Sequence, residues 1–447
     1  MLKKLRTVLF WAHLVSGLIT GIVVVIMSFT GAALAFQKEL VAWAESDVRH
    51  AAPSSPGAAP LPLDELLRRA RQAAPDFQPA TIAIPPEAGD AHTLAAAGRG
   101  ATAYYQNQYT GELKLRGATK MRAFMQTMFV WHRWLGLGGD SRPVGKAITG
   151  ACNAAFIVLA ITGIYLWWPR SWSWRALRPS MLVLPRLRGR ARDWNWHTAL
   201  GFWSAPVLII LTITALPISY RWAGNLIYAA FGETPPVQAG PPPPPPVEID
   251  PALLAPPVSG AEKLTLDALL LRAREQLPPG WEQITLRLSS STARGGPREQ
   301  RAGQPITRGQ RIAQPITRGQ QAAQSAGQSI PHEQRAAQSI SHEQRAAQSI
   351  TLSVLEAGRW PRTAATTYTL NVYTGDIAHR SVFADNTPAR RLRTWTRFLH
   401  TGEALGWPGR FVAGLACIVA LVLCYTGFAL SYRRFFRRKN ASLKTSG

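Results

Sequence analysis

Asp193 to Tyr220 reads DWNWHTALGFWSAPVLIILTITALPISY, and after Asp193 it holds no Asp, Glu, Lys or Arg. At 1.5 Å per residue, about two dozen such residues cross a hydrocarbon core of roughly 30 Å. Lipid offers backbone amides no partner, so the run has to be helical. Besides this run at 194–220, similar runs lie at 9–36, 147–168 and 411–432. Four such runs define a membrane α-helical fold with four transmembrane helices. Lys3, Lys4 and Arg6 precede the first run, and Ala33-Leu34-Ala35 resembles a cleavage site. The run is too long for a signal core, so an uncleaved anchor is expected.

The formal charge of +25 over 447 residues would suit a nucleic-acid binder, but its distribution does not. Seven arginines crowd the loop 169–193, and Arg433, Arg434, Arg437, Arg438 and Lys439 follow the last run. Basic residues flanking apolar spans mark the cytoplasmic side. The N-terminus at 1–8, the loop 169–193 and the tail 433–447 are therefore expected in the cytoplasm, and the long segments outside it. No nucleic acid is expected as a partner; the lipid bilayer is. The 16 tryptophans fit interfacial belts. Cys152, Cys417 and Cys424 all fall within spans, with no CxxC pair for zinc and no CxxCH for covalent haem.

The two long segments resemble each other. LPLDELLRRARQAAPDFQPATIAIP at 61–85 parallels LTLDALLLRAREQLPPGWEQITLRL at 264–288, each an amphipathic helix and then an alternating strand. YYQNQYTGELKL at 104–115 parallels YTLNVYTGDIAH at 368–379, each a hairpin about a Thr-Gly turn. The chain thus reads as a two-fold span–domain–span repeat with two small α+β domains, at 37–120 and 221–388. Two inserts interrupt the second domain: the proline run at 241–246, and a ten-residue repeat within 294–350 that lacks apolar periodicity and is expected to be disordered. Amphipathic, aromatic-rich stretches with glycine-rich breaks, at 121–146 and 389–410, are expected to lie along the outer membrane surface.

Four of nine histidines occupy equivalent places in this repeat. His13 and His197 open the first and third spans, and His132 and His400 precede the second and fourth. Orientation puts His13 with His197 at the cytoplasmic face and His132 with His400 at the outer face. Gly17 and Gly201, four residues after His13 and His197, are expected to leave room for a flat ligand. Two histidines at one depth on different helices are the usual way to hold non-covalent haem b by both axial positions. Two pairs give two haem b groups and an electron path across the membrane. A zinc or copper site is the rival; it needs further ligands, for which Glu403 is the candidate. His50, His92 and His379 read as surface residues.

WHRWLG at 131–136, TGIYLWWPR at 162–170, HTALG at 197–201 and LHTGEALG at 399–406, with the two α+β domains, resemble the PepSY-associated transmembrane family. These are bacterial inner-membrane proteins linked to iron uptake, siderophore-iron reductases among them. The resemblance covers nearly all the chain outside 294–350. It implies four spans, PepSY-like periplasmic domains, haem b, and reduction of ferric chelates on the periplasmic side. His13, His197, His132 and His400 would then be the haem-iron ligands. Arg133, Arg142, Arg397 and Arg410 could pair with haem propionates or attract an anionic ferric siderophore, or serve as interfacial anchors. No GxGxxG is visible, so electrons are expected from quinol or a separate reductase. Two further readings stay open: a haem relay to a partner protein, and a non-enzymatic membrane scaffold whose outer domains bind peptide or siderophore.

Overall fold

The computed structural model describes residues 2–236, 249–288 and 347–436, except Ser54, Arg99, Gly100, Arg170, Ser259, Arg362 and Thr363. The proline run at 241–246, the insert up to residue 346 with His332 and His342, and Arg437, Arg438 and Lys439 lie outside the described residues. The helices are α1 (Leu2–Ala35), α2 (Gln37–Ala44), α3 (Ser46–Arg49), α4 (Leu63–Ala73), α5 (Thr119–Trp134), α6 (Arg142–Trp167), α7 (Trp174–Met181), α8 (Gly189–Ser219), α9 (Arg221–Ala230), α10 (Leu266–Gln276), α11 (Pro388–His400) and α12 (Trp407–Phe435). The strands are β1 (Thr81–Ile84), β2 (His92–Ala95), β3 (Ala103–Gln106), β4 (Leu113–Leu115), β5 (Trp281–Arg287), β6 (Ser349–Glu356), β7 (Thr366–Asn371) and β8 (Ile377–Ser381). Ser349 and Ile350, expected in the insert, begin β6 and pair with Asn371 and Leu370.

Helices α1, α6, α8 and α12 are long and apolar enough to cross a membrane. All four begin before the expected runs do, because their first turns continue into basic and aromatic residues that a hydropathy reading trims off. They close into a ring: α1 packs on α6 and α12, and α8 packs on the same two. The short helices α5 and α11 lie across one end of this ring. A β-carbon at Gly145 would run into the main chain of Trp134, so α5 rests directly on the start of α6. Gly402, at φ 72°, and Gly409 meet backbone to backbone, which folds α11 back against α12. The glycine-rich breaks after the two amphipathic helices are these contacts.

The two α+β segments do not form separate sheets. One eight-stranded antiparallel sheet runs β4-β3-β2-β1-β5-β6-β7-β8, and β1 joins β5 with Thr81 opposite Arg287 and Ile84 opposite Ile284. The physical reason is edge protection: apart, β1 and β5 would each expose a row of unpaired amides. Both halves make the same contacts. Asp64 accepts from the Leu266 amide at 2.9 Å, and Asp267 accepts from the Leu63 amide at 2.8 Å, so each half caps the other's helix. Asn107 and Asn371 each accept from the amide two residues on, at 2.8 Å, inside the two Thr-Gly turns. Helices α4 and α10 bury Leu66, Leu67, Leu269 and Leu270 against Ile82, Leu94, Leu286 and Leu352 on one face of the sheet. The other face, with Ala83, Thr93, Tyr105 and Gln283, looks toward the helical bundle.

His50 is exposed and pairs with Asp90 at 3.3 Å, but His92 is a correction: it points into the helix-covered face and is only 6 % exposed. The alternation of β2 puts it level with Leu94, on the buried side. Burial, and then the charge of Arg274, lowers its pKa to about 4 against a partly compensating hydrogen bond with Gln108. The folded protein thus binds fewer protons than the unfolded chain between pH ~6.5 and ~4, and acidification through that window removes stability. Protection of the β2 and β3 amides against hydrogen exchange should fall between pH 7 and 5. In His92→Gln the fall should be smaller.

Candidate functional site

The four histidines of the sequence argument meet in the two expected pairs. His13 of α1 and His197 of α8 have ring centroids 6.2 Å apart with planes at 88°. His132 of α5 and His400 of α11 are 6.3 Å apart with planes at 49°. Along α1, His13 and Thr30, which touches His132, are separated by roughly 25 Å of helix, so the pairs sit at opposite ends of the bundle. All four rings are half-buried.

Each ring is held through Nδ1. His13 meets Thr162 Oγ1 at 3.0 Å and His197 meets Thr426 Oγ1 at 2.9 Å. His132 lies 3.0 Å from the Met27 carbonyl and 3.1 Å from Thr30 Oγ1, and His400 lies 2.9 Å from the Leu211 carbonyl. A carbonyl only accepts, which makes Nδ1 of His132 and His400 the protonated nitrogen. At the other pair the threonine hydroxyls are already spent as donors: Thr162 donates to Val158 O at 2.6 Å and Thr426 to Val422 O at 2.9 Å. There too Nδ1 donates, and at all four positions the Nε2 lone pair is left free to bind a ligand. Metal–imidazole bonds are about 2.0–2.1 Å and a ring nitrogen lies roughly 1.1 Å from its centroid, so two rings flanking one ion sit roughly 6.3 Å apart. Both pairs have this spacing.

Small residues other than the expected Gly17 and Gly201 stand against the rings. A β-carbon at Gly17 or Gly201 would make ordinary contact with Leu159 or Leu423. Both glycines thus face a side chain of a neighbouring helix. The residues that make room for the rings lie across from them: a β-carbon would come to 3.2 Å of His132 Cε1 at Gly31, 3.4 Å of His13 Cε1 at Gly163, and 3.6 Å of His197 Cε1 at Gly427. Each follows the threonine just described. The sequence carries the signal four times, as MSFTG at 27–31, LAITG at 159–163, LTITA at 211–215 and LCYTG at 423–427. In each copy a carbonyl, a hydroxyl and a small residue stand on one helix turn.

Above the His132–His400 pair a cavity of about 1020 Å³ extends to the free face of the sheet. Arg133, Arg397 and Arg410 line it. Arg142 does not; it stacks 3.9 Å over Trp134 instead. Arg410 binds Glu39, and its Nε is buried without a hydrogen-bond partner. Arg397 and Lys38 hold Glu403 at 3.6 and 2.5 Å, so Glu403 is occupied as a counter-ion. Arg133 has no carboxylate partner among the described residues; burial, then Arg142, lowers its pKa. Sequence reasoning missed Glu45, which is 1 % exposed in the wall of the same cavity. Arg122 donates to it at 2.5 and 2.9 Å, and Tyr105 at 2.9 Å. Burial and then Glu45 raise the Tyr105 phenol above its ordinary pKa.

Among the described residues no three His, Cys, Asp or Glu side chains converge to hold a metal ion, so the pairs stand as pairs. A family model described as PepSY-associated TM region matches residues 10–434. The chain belongs to that family. No curated protein matches it. The paired histidines and the TG-bearing turns all lie within the matched residues.

Glu45→Ala removes the carboxylate that holds Arg122 and Tyr105 and should destabilise the protein, by less than the about 3–5 kcal/mol of a fully buried pair because Arg122 is 34 % exposed, whereas Glu45→Gln keeps two acceptor contacts and should cost less. Thermal unfolding of the detergent-solubilised variants orders them: wild type, then Gln, then Ala.

Proposed function

We propose that this protein is an inner-membrane oxidoreductase carrying two haem b groups, one between His13 and His197 and one between His132 and His400. Its termini and the loop 169–193 are cytoplasmic, the sheet is periplasmic, and the reaction is reduction of a ferric siderophore at the sheet end. The observation that carries this reading is the spacing of the two imidazole pairs, each with Nδ1 engaged and Nε2 free. We read the matched capping and turn contacts of the sheet as two copies of one span–PepSY-like–span unit.

Bound haem supplies one-electron transfer; the protein supplies ligands, burial and charge. The pairs stand at opposite ends of a ring of four apolar helices. The basic loop and Arg433 orient the bundle with His13 and His197 inward. Arg133 and Arg410 bring positive charge with incomplete pairing to the cavity, suited to propionates or to an anionic chelate. Reduction loosens a hard-oxygen chelator's hold, because Fe(II) is softer and carries less charge. Electrons are supplied by quinol or a separate reductase.

A visible spectrum of the purified protein should show low-spin haem b at two per chain. His13→Ala and His197→Ala should each remove one spectral component, and His132→Ala and His400→Ala the other. Dithionite-reduced protein should be reoxidised by ferric siderophores. A colourless wild-type protein would leave the scaffold reading, and haem that no ferric chelate reoxidises would leave the relay.

A further inference from the structure

The basic loop does not stand clear of the bundle. Asn195, 3 % exposed, donates to the carbonyls of Pro179 at 2.7 Å and Leu182 at 2.9 Å and accepts from the Leu184 amide at 2.8 Å. The indoles of Trp203 and Trp167 donate to the carbonyls of Met181 at 2.8 Å and Ser180 at 3.0 Å. Trp203 lies eight residues beyond Asn195, roughly 12 Å along the helix and inside the apolar run of α8. Helix α7 and the residues after it, up to Leu184, therefore lie against the first turns of α8 rather than beyond its end. What they turn outward is of two kinds. Trp172, Trp174, Leu182 and Val183 are exposed, as is Trp203 beside them. Arg175, Arg178, Arg186, Arg188 and Arg190 are exposed as well, and none meets a carboxylate among the described residues. The one acid of 171–193, Asp193, is buried and taken by Arg192 and Arg433.

We propose that α7 and the residues after it form a binding surface for anionic phospholipid headgroups, with the tryptophans seated in the interface and the arginines on the phosphates. Indole rings settle at the level of the headgroups, where an apolar body and a polar N–H are both satisfied. A guanidinium presents a fork that matches phosphate oxygens, and each basic residue near an anionic leaflet adds to the attraction. Depth decides between lipid and an acidic protein as the occupant. The exposed tryptophans and Trp203 share one level against the flank of a membrane-crossing helix, so a soluble partner would have to displace lipid to reach this surface. Bound headgroups would clamp the loop that Asn195 holds, two residues before His197 on α8. The inference does not depend on the haem reading.

Hydrogen–deuterium exchange of the full-length protein tests this, in nanodiscs of phosphatidylcholine with and without phosphatidylglycerol. With phosphatidylglycerol the amides of 174–184 should exchange roughly tenfold more slowly, the effect of one or two charges held at an anionic surface. The slowing should shrink as salt rises, and β2 and β3 should exchange alike in both lipids. Arg175→Gln combined with Arg178→Gln should lose most of the slowing, and the two lysine replacements should keep much of it. Both double variants retain Arg186, Arg188 and Arg190, and with them charge that orients the loop. Equal exchange of 174–184 in the two lipids would overturn the proposal and leave the arginines to an acidic protein. Undiminished slowing in the double glutamine variant, or slowing of the same size at β2 and β3, would overturn it too. Should the glutamine variant not fold, the comparison of the two lipids on the wild-type protein decides alone.

Discussion

An imidazole inside an apolar bundle has two nitrogens to satisfy, and here the protein satisfies one of them. At four places a carbonyl or a hydroxyl on a neighbouring helix takes the Nδ1 proton. The other nitrogen is left with a lone pair and, at 6.2 and 6.3 Å, a second ring facing it. Leaving such groups unpaired in an apolar surrounding is costly. The rest of the bundle follows from this requirement. Glycines stand where the rings need space, α5 and α11 fold back over the helix ends to bring His132 and His400 inward, and the ring order of the spans puts each histidine beside its acceptor helix.

Charge is distributed unevenly about the two ends. Away from the sheet, Asp193 is fully buried, held by Arg192 at 2.9 Å and Arg433 at 2.6 Å, which ties the start of α8 to the end of α12 just below His197. At the sheet end the acids Glu39, Glu45 and Glu403 neutralise some of the arginines lining the cavity but not Arg133. Below His197 the Asp193 ion pairs join two helix ends, while the sheet end keeps Arg133 facing a space of about 1020 Å³.

The four spans, the amphipathic helices, the glycine breaks and the pairing of the histidines were legible in the sequence, because each rests on local pattern: hydropathy, period and depth. What the sequence hid depended on neighbours. Gly17 and Gly201 share a helix with their histidines and can be read from the chain, whereas Gly31, Gly163 and Gly427 face the rings from other helices, a relation invisible without knowing which helices touch. The LAITG-type motif was present four times but is short and apolar, and it reads as ordinary span until its threonines are seen against the rings. His92 was misplaced because a single histidine in a short strand does not declare which face it takes. Two α+β segments were visible, but not their fusion, since nothing in either segment announces that its partner strand lies roughly 200 residues away.

That fusion has a consequence for how the protein is made. β1 and β5 are neighbours in the sheet, yet two spans and the basic loop lie between them in the chain. At synthesis rates of about 5–20 residues per second, β1 waits roughly 10–40 s for its partner. Throughout that interval the first half of the sheet presents an open edge, and the cap of α4 lacks the Asp267 carboxylate that completes it. The first half is thus born unfinished, and β5, made only after α6 and α8, closes the sheet.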